Sequence, residues 1–406
     1  MMHTYLVGGA VRDRLLNYPV KEQDWVVVGS TPDKMKALGF QQVGRDFPVF
    51  LHPKTQEEYA LARTERKQGQ GYYGFVCDFN ANVSLEEDLM RRDLTINAIA
   101  MDEKGNLIDP YHGQRDLKKK VLRHVSSAFA EDPVRVLRVA RFAARYHHLG
   151  FRVARETRAL MYRMVTSGEL AHLVAERVWQ EWQRSLTERN PETFISVLRS
   201  CGALQVVFPE MDALYGVPYL KELDREVDSG ISALLTLQRA TKLSGDPVIR
   251  FAAYLYNLDN AQIKSAHWPI HPSGQKGVMV RSLMKRLHIP RTYFQLAERV
   301  ARFNDKINAI STLSAADIVM ILEQTDAFRR AALFDTLLVA CEAIVNQLSY
   351  NQAAQWRRLK TACDDVSVQA VIRDGYKGQA IQQQVHARRV ACIESILKKQ
   401  EKNNEK

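Results

Sequence analysis

The chain has 406 residues, enough for two or three domains, and 57 Lys and Arg against 46 Asp and Glu leave a net charge of +11, which favours a polyanionic partner such as nucleic acid. Its five cysteines are widely spaced and never form a C-x-x-C pair, which excludes a disulfide framework or a structural zinc ribbon and suits a reduced cytoplasmic protein. No apolar run approaches the roughly 18 residues of a membrane span, and Arg12 and Arg14 arrive before a secretory apolar core could form.

The run Tyr5-Leu6-Val7 predicts a strand that enters a turn at Gly8-Gly9, with a helix following from Ala10. Glycines at such a turn let backbone N–H groups close on a phosphate, although Gly-Gly alone is equally a plain strand-to-helix turn. Val26-Val27-Val28 predicts a second strand, with Glu22 and Asp24 at its mouth. Residues two apart on a strand share a face about 6.6 Å apart, so the two carboxylates can converge on divalent ions suited to phosphoryl transfer.

Ser30-Thr31-Pro32-Asp33 starts a helix, and Phe47–Leu51 and Glu58–Ala62 read as neighbouring strands of a mixed sheet. Lys67 to Asn82, with three glycines, reads as a loop. Ser84-Leu85-Glu86-Glu87 is a capping box that opens a helix expected to run to about Ala100. Arg91 and Arg92 are adjacent on that helix and must point in different directions. Asn106 to Gly113 forms turns, and a basic stretch, Arg115 to Lys120, leads into Val121-Leu122.

From Ala128 onward, period-3.6 apolar patterns replace recognisable strands. Asp132, Arg135, Arg138 and Arg141 recur every three residues and form a winding stripe, while Asp132-Pro133 also has the form of an ordinary helix N-cap. Beyond Gly150 the chain reads as helices with short breaks, with Trp179 and Trp182 in the core and a frayed tail from Lys398 to Lys406.

Three motifs in order carry a family resemblance: Gly8-Gly9-Ala10-Val11-Arg12-Asp13 with the acidic pair, Arg91-Arg92-Asp93-Leu94-Thr95-Ile96-Asn97-Ala98, and Glu131-Asp132-Pro133-Val134-Arg135 continuing to Phe142. They resemble the class II nucleotidyltransferases and most closely the bacterial CCA-adding tRNA nucleotidyltransferases; bacterial poly(A) polymerases share the motifs but tend to have Phe where Leu94 stands. One departure is Glu22-Gln23-Asp24, where the family has Asp-x-Asp; a catalytically inactive tRNA-binding relative is the reading this departure motivates.

The resemblance implies an α+β fold: a nucleotidyltransferase head over 1–125, a helical neck and body over 126–225, a degenerate HD-like helical segment over 226–320 and a helical tail over 321–406. It implies that Glu22 and Asp24 hold Mg²⁺ and that Gly8, Gly9, Arg12 and Arg92 hold the triphosphate of CTP or ATP, at most one of Arg91 and Arg92 facing the nucleotide. Asp132 and Arg135 would act as a protein template reading the base edge, with Arg138 and Arg141 holding phosphates or positioning that pair. The loop beside the active site would take part in the switch from C to A addition, and tRNA would be the partner, with no membrane and no obligate protein partner. In the HD-like segment, Ser232 stands where a metal-binding His is expected, Tyr256-Asn257 where His-Asp is expected, and Asn304 and Asn308 where further histidines would be, leaving His271 alone.

Overall fold

The computed structural model describes residues 2–20, 22–43, 49–67, 75–78, 80–220, 226–263, 276–345 and 349–404. The chain folds as two compact units, Met1–Pro209 and Glu210–Lys406.

The first unit is built on a seven-stranded mixed sheet. Its strands are β1 (His3–Val7), β2 (Asp24–Val28), β3 (Gln41–Gln42), β4 (Val49–Leu51), β5 (Glu58–Leu61), β8 (Ala100–Met101) and β9 (Leu107–Ile108), in the order β3-β4-β5-β2-β1-β8-β9. β6 (Thr64–Lys67) and β7 (Phe75–Asp78) pair separately as an antiparallel ribbon. The expected loop at Lys67–Asn82 therefore contains a strand, and most of its remainder lies outside the described residues, as do Phe47 and Pro48.

Strand alternation accounts for the core. Val26 packs with Val7, Leu89 and Ala98 on one face of the sheet, and Val27 packs with Met35, Phe50 and Leu61 on the other. Helices α1 (Gly9–Leu15), α2 (Pro32–Ala37), α3 (Leu85–Met90) and α4 (Gly113–Lys119) accompany these strands. Thr31 caps α2 and the Ser84/Glu87 box caps α3, as read from the sequence.

α3 stops at Met90, ten residues short of the expected end. The cause is local competition for hydrogen bonds: Asp93 accepts from its neighbour's backbone, Leu94 N–H, and from Asn97 Nδ2, both at 2.8 Å, and folds the next turn away from the helix axis. A 3₁₀ turn (Thr95–Asn97) and β8 follow.

β10 (Val121–Leu122) pairs in parallel with β11 (Arg152–Val153), so a strand appears where only helices were expected. Around it lie α5 (Val134–Tyr146), α6 (Arg155–Thr166), α7 (Ala175–Leu186), α8 (Pro191–Ser200) and α9 (Ala203–Val207). Trp179 and Trp182 are buried edge-to-face, and Trp182 packs on Phe208. Within Met1–Pro209, Asp13 and Asp93 ion-pair with Arg145 and Arg138 of α5 and join the sheet to the following helices.

The second unit opens with α10 (Pro209–Asp212) and a two-stranded ribbon of β12 (Pro218–Leu220) and β13 (Glu226–Asp228), then becomes helical. α11 (Ser229–Leu243), α12 (Pro247–Tyr254), α14 (Arg291–Asn308) and α16 (Ala331–Ile344) pack on one another, with α13 (Val278–Arg286) against α14. α15 (Ala315–Gln324), α17 (Gln352–Asp364) and α18 (Val368–Arg373) pack on α19 (Gln379–Asn404), which extends through most of the expected frayed tail. Trp356 is fully buried and donates its indole N–H to Ile307 O at 2.9 Å. No described helix is long and apolar enough to cross a membrane.

Candidate active site

Antiparallel pairing of β1 with β2 sets Val7 opposite Asp24. That register brings the end of one strand beside the start of the other, so the Gly8-Gly9 turn and the acidic pair become neighbours although they are separated in sequence. Gly8 has φ 66°, a conformation that favours glycine, and its lack of a Cβ leaves room for Arg92 Nη1, which would lie 3.0 Å from one.

The two strands open onto a cleft of about 630 Å³. All ten residues singled out from the sequence line it: Gly8, Gly9, Arg12, Glu22, Asp24, Arg92, Asp132, Arg135, Arg138 and Arg141. Glu22 lies just before β2 and Asp24 is its first residue. Asp24 shares a face with Val26, and on β5, paired in parallel with β2, Glu58 stands opposite Asp24 and shares a face with Ala60. Glu58 was not singled out from the sequence, although it carries the same signal as Asp24, an acid at the mouth of a strand.

The guanidinium groups are not equivalent. Arg12 is only 4% exposed; it donates to Asp13 Oδ1 at 2.8 Å and Asn97 Oδ1 at 2.6 Å and lies over the rings of Phe142 and Tyr146. It ties the glycine turn to α5 rather than reaching freely into the cleft. Arg138 donates to Asp93 at 2.7 Å, and Arg141 to Glu181 at 2.6 Å. Arg145, a further cleft residue, donates to Asp13 at 2.9 Å, and the Tyr146 hydroxyl donates to the same carboxylate.

Arg91 and Arg92 both line the cleft. The reason is that α3 ends before them, which frees their directions, and the buried Asp88 accepts from both, at 2.7 Å and 3.1 Å. Burial opposes the charge on Asp88, but the two guanidiniums hold its pKa below the ordinary carboxylate range. Asp93 follows the same pattern: burial opposes ionisation, and Arg138 and Asn97 outweigh it.

At the mouth of α5, Asp132 makes one local bond and one distant one. Its Oδ1 accepts from Val134 N–H at 3.1 Å, a capping bond, while Arg177 of α7 grips both carboxylate oxygens at 3.1 Å and 2.8 Å. Arg135, one turn on, donates from Nη1 to Ala128 O at 2.7 Å and also faces the cleft. Arg177 and Glu181 had no local sequence signal, since a charged residue on an amphipathic helix is ordinarily solvated.

The acidic pair supports an ion on chemical grounds. Asp24 has a raised pKa, first because neighbouring atoms desolvate it and then because Glu22 lies nearby, with Arg92 only partly offsetting both. Its donors are all oxygen, the set that suits Mg²⁺. Among the described residues no three His, Cys, Asp or Glu side chains form a preassembled metal cage, so an ion here would draw further oxygen ligands from substrate or water.

Residues 4–123 match the family model described as "Poly A polymerase head domain", and 150–215 match "Probable RNA and SrmB- binding site of polymerase A". A Multifunctional CCA protein of Legionella pneumophila (strain Lens) is 57% identical over 411 residues, covering 100% of both chains. One from Aliivibrio salmonicida is 50% identical, covering 98% of this chain and 99% of its own. A CCA-adding enzyme solved without substrate superposes with a TM-score of 0.65 at 20% identity, covering 98% of this chain and 92% of that one. At that identity the superposition speaks to the fold; the full-length sequence match establishes that the chain belongs to the bacterial CCA-adding tRNA nucleotidyltransferase family.

Proposed function

We propose that Glu22 and Asp24, with Glu58 beside them, form the catalytic corner of this tRNA nucleotidyltransferase, and that Arg91, Arg92 and the Gly8-Gly9 turn receive the triphosphate. The chain adds the 3′-terminal CCA to tRNA from CTP and ATP without a nucleic-acid template. In the reaction the terminal ribose hydroxyl of tRNA forms a new bond to the α-phosphorus, the bond to the β-phosphate oxygen breaks, pyrophosphate leaves and the hydroxyl proton passes to solvent. Enzymes with a polymerase-type head use divalent metal ions. Mg²⁺ bound at Glu22 and Asp24 would supply acidification of the attacking hydroxyl and neutralisation of the leaving pyrophosphate. The chain's own residues then orient the groups: Asp88 sets Arg91 and Arg92 at the cleft wall, and Arg12 braces the glycine turn.

The observation that carries this reading is the strand register that sets Asp24 beside the glycine turn on one side and opposite Glu58 on the other. Glu22 keeps the charge and oxygen donors of an aspartate with one added methylene, which favours a working ligand over an inactive relative. Base choice is assigned to Asp132, as acceptor from an exocyclic amine, and Arg135, as donor to ring nitrogen and carbonyl. Incorporation of labelled CTP and ATP on a tRNA ending at the discriminator base, with Mg²⁺ added, tests the whole reading; activity untouched in Asp24→Ala would overturn the assignment.

The division at 125, 225 and 320 remains part of this proposal, with 226–320 as a decayed HD domain. Ser232 and Tyr256, at two positions where metal-binding side chains would stand, are joined hydroxyl to hydroxyl at 2.7 Å. Asn257 and Asn304 donate to backbone carbonyls. A hydroxyl, a phenol and amides are poor donors for a transition metal. His271 lies outside the described residues. We place the reaction in the cytoplasm, in keeping with the free thiols of Cys201, Cys341, Cys363 and Cys392.

A further inference from the structure

We infer that Arg177 is a specificity-positioning residue: it holds Asp132 so that a single acceptor site is presented to the base of the incoming nucleotide. The inference rests on the assignment of Asp132 to base choice and adds a residue to it.

A carboxylate has about four acceptor sites. At Asp132 three are taken: Arg177 Nη1 and Val134 N–H on Oδ1, each at 3.1 Å, and Arg177 Nη2 on Oδ2 at 2.8 Å. Among the described residues, the remaining site is on Oδ2. With both oxygens gripped by the planar fork, the carboxylate cannot rotate to offer another edge, so its direction is set by α7 and not by the nucleotide. An amine-bearing base can donate to that site. A base that presents a carbonyl there meets an acceptor facing an acceptor, with both groups withdrawn from water.

Arg177 itself is oriented by its helix. Four residues on, the buried Glu181 accepts from Arg141 Nε at 2.6 Å, so α7 is tied to α5 as well as to Asp132 just before it. Trp182 anchors α7 in the core by packing on Phe208. The fork is thus part of a braced element, and both Arg177 and Asp132 line the cleft.

The test is single-turnover incorporation of CTP, ATP, UTP and GTP by the full chain on tRNA lacking its terminal nucleotides. Arg177→Ala is expected to lower the preference for CTP over UTP by about tenfold or more, through a weaker KM for CTP more than through kcat. Added guanidinium ion should restore the choice, while Arg177→Lys should not, because an ammonium cannot fork across two oxygens. Arg177→Gln, which keeps one donor and much of the stem, serves if the alanine variant does not fold; it is expected to show the same loss to a smaller degree. A variant that keeps full selectivity while Asp132→Ala loses it would overturn the role of Arg177 alone. If Asp132→Ala also keeps selectivity, the base-reading assignment fails with it. Equal loss with all four nucleotides, a lowered melting point and no rescue by guanidinium would make Arg177 only structural and overturn the inference.

Discussion

The polar positions singled out in the two units are used in different ways, although the helical unit also holds a buried carboxylate pair, Glu210 with Arg286. In Met1–Pro209, buried carboxylates and guanidiniums pair across elements that are far apart in the chain, as with Asp13 to Arg145, Asp93 to Arg138 and Glu181 to Arg141. In the helical unit, Ser232, Tyr256, Asn257 and Asn304 turn to one another or to backbone carbonyls. Burying an ion pair costs several kcal/mol of desolvation per ion and is a weak source of stability, so a cleft full of such pairs points to chemistry. In the helical unit the hydroxyls pair and the amide N–H groups are used up on backbone carbonyls, while the buried Oδ1 atoms of Asn257 and Asn304 have no hydrogen-bond partner among the described residues, a set poorly suited to hold a transition metal.

The sharpest break between the units is expected at Asp24. Asp24→Ala should abolish CTP and ATP incorporation on tRNA, well beyond the roughly 100-fold that a 1 Å misplacement can cost. Glu22→Asp should retain activity or raise it. The pH dependence has a definite sign. The folded pKa of Asp24 lies above its unfolded value, so its ionised form destabilises the fold: the stability it contributes is present below the unfolded pKa and is lost as pH rises through the folded one. Asp24→Asn should therefore melt slightly higher than the unaltered chain at neutral pH, a gain that shrinks in acid.

Arg135→Ala should disturb nucleotide choice by roughly tenfold or more while the melting point changes little, measured by competition of CTP, ATP and UTP. A shift of melting point by the equivalent of about 1 kcal/mol with choice intact, the signature of a lost cap, would instead be the outcome for Asp132→Ala if that side chain only caps α5.

Asp93→Asn leaves the half-buried Arg138 beside a neutral amide and is expected to cost about 1–3 kcal/mol in denaturant unfolding, since solvent reaches the guanidinium. Because the folded pKa of Asp93 is lowered, the stability it contributes is present above its unfolded pKa and disappears as pH falls through the folded one. The difference between Asp93→Asn and the unaltered chain should accordingly close in strong acid.

The smallest effect is expected in the helical unit. Ser232→Ala removes one hydroxyl partner and should cost about 1 kcal/mol, with tRNA end addition unchanged. Phosphate release from 2′,3′-cyclic nucleotides, stimulated by Ni²⁺ and lost on His271→Ala, would break the contrast between the units by showing a working hydrolase site.

Much of the first unit was legible because its signals are local. Gly-Gly after an apolar run, acids before a valine run and Ser84-Leu85-Glu86-Glu87 each act through hydrogen bonds or backbone freedom within a few residues. The end of α3 was missed because the Asp93 turn, made by local bonds to Leu94 N–H and Asn97, competes with a helix-favouring pattern, and its further partner Arg138 lies 45 residues away. Arg177 was missed for the same reason, since Asp132 lies 45 residues away; Glu58 carries the same local signal as Asp24 and gains its place only when β5 pairs with β2.

The sequence by itself determined the strand mouth at Asp24, the glycine turn, the capped helices and the apolar period of the helical unit, because propensity, capping and side-chain periodicity are set by neighbouring residues. Only the tertiary structure decided which arginines are committed to buried carboxylates, that Arg91 and Arg92 share Asp88, and that α7 reaches across to Asp132. Those outcomes depend on which distant charges meet in a low-dielectric interior, where pairing strength is set by distance and burial and not by position along the chain.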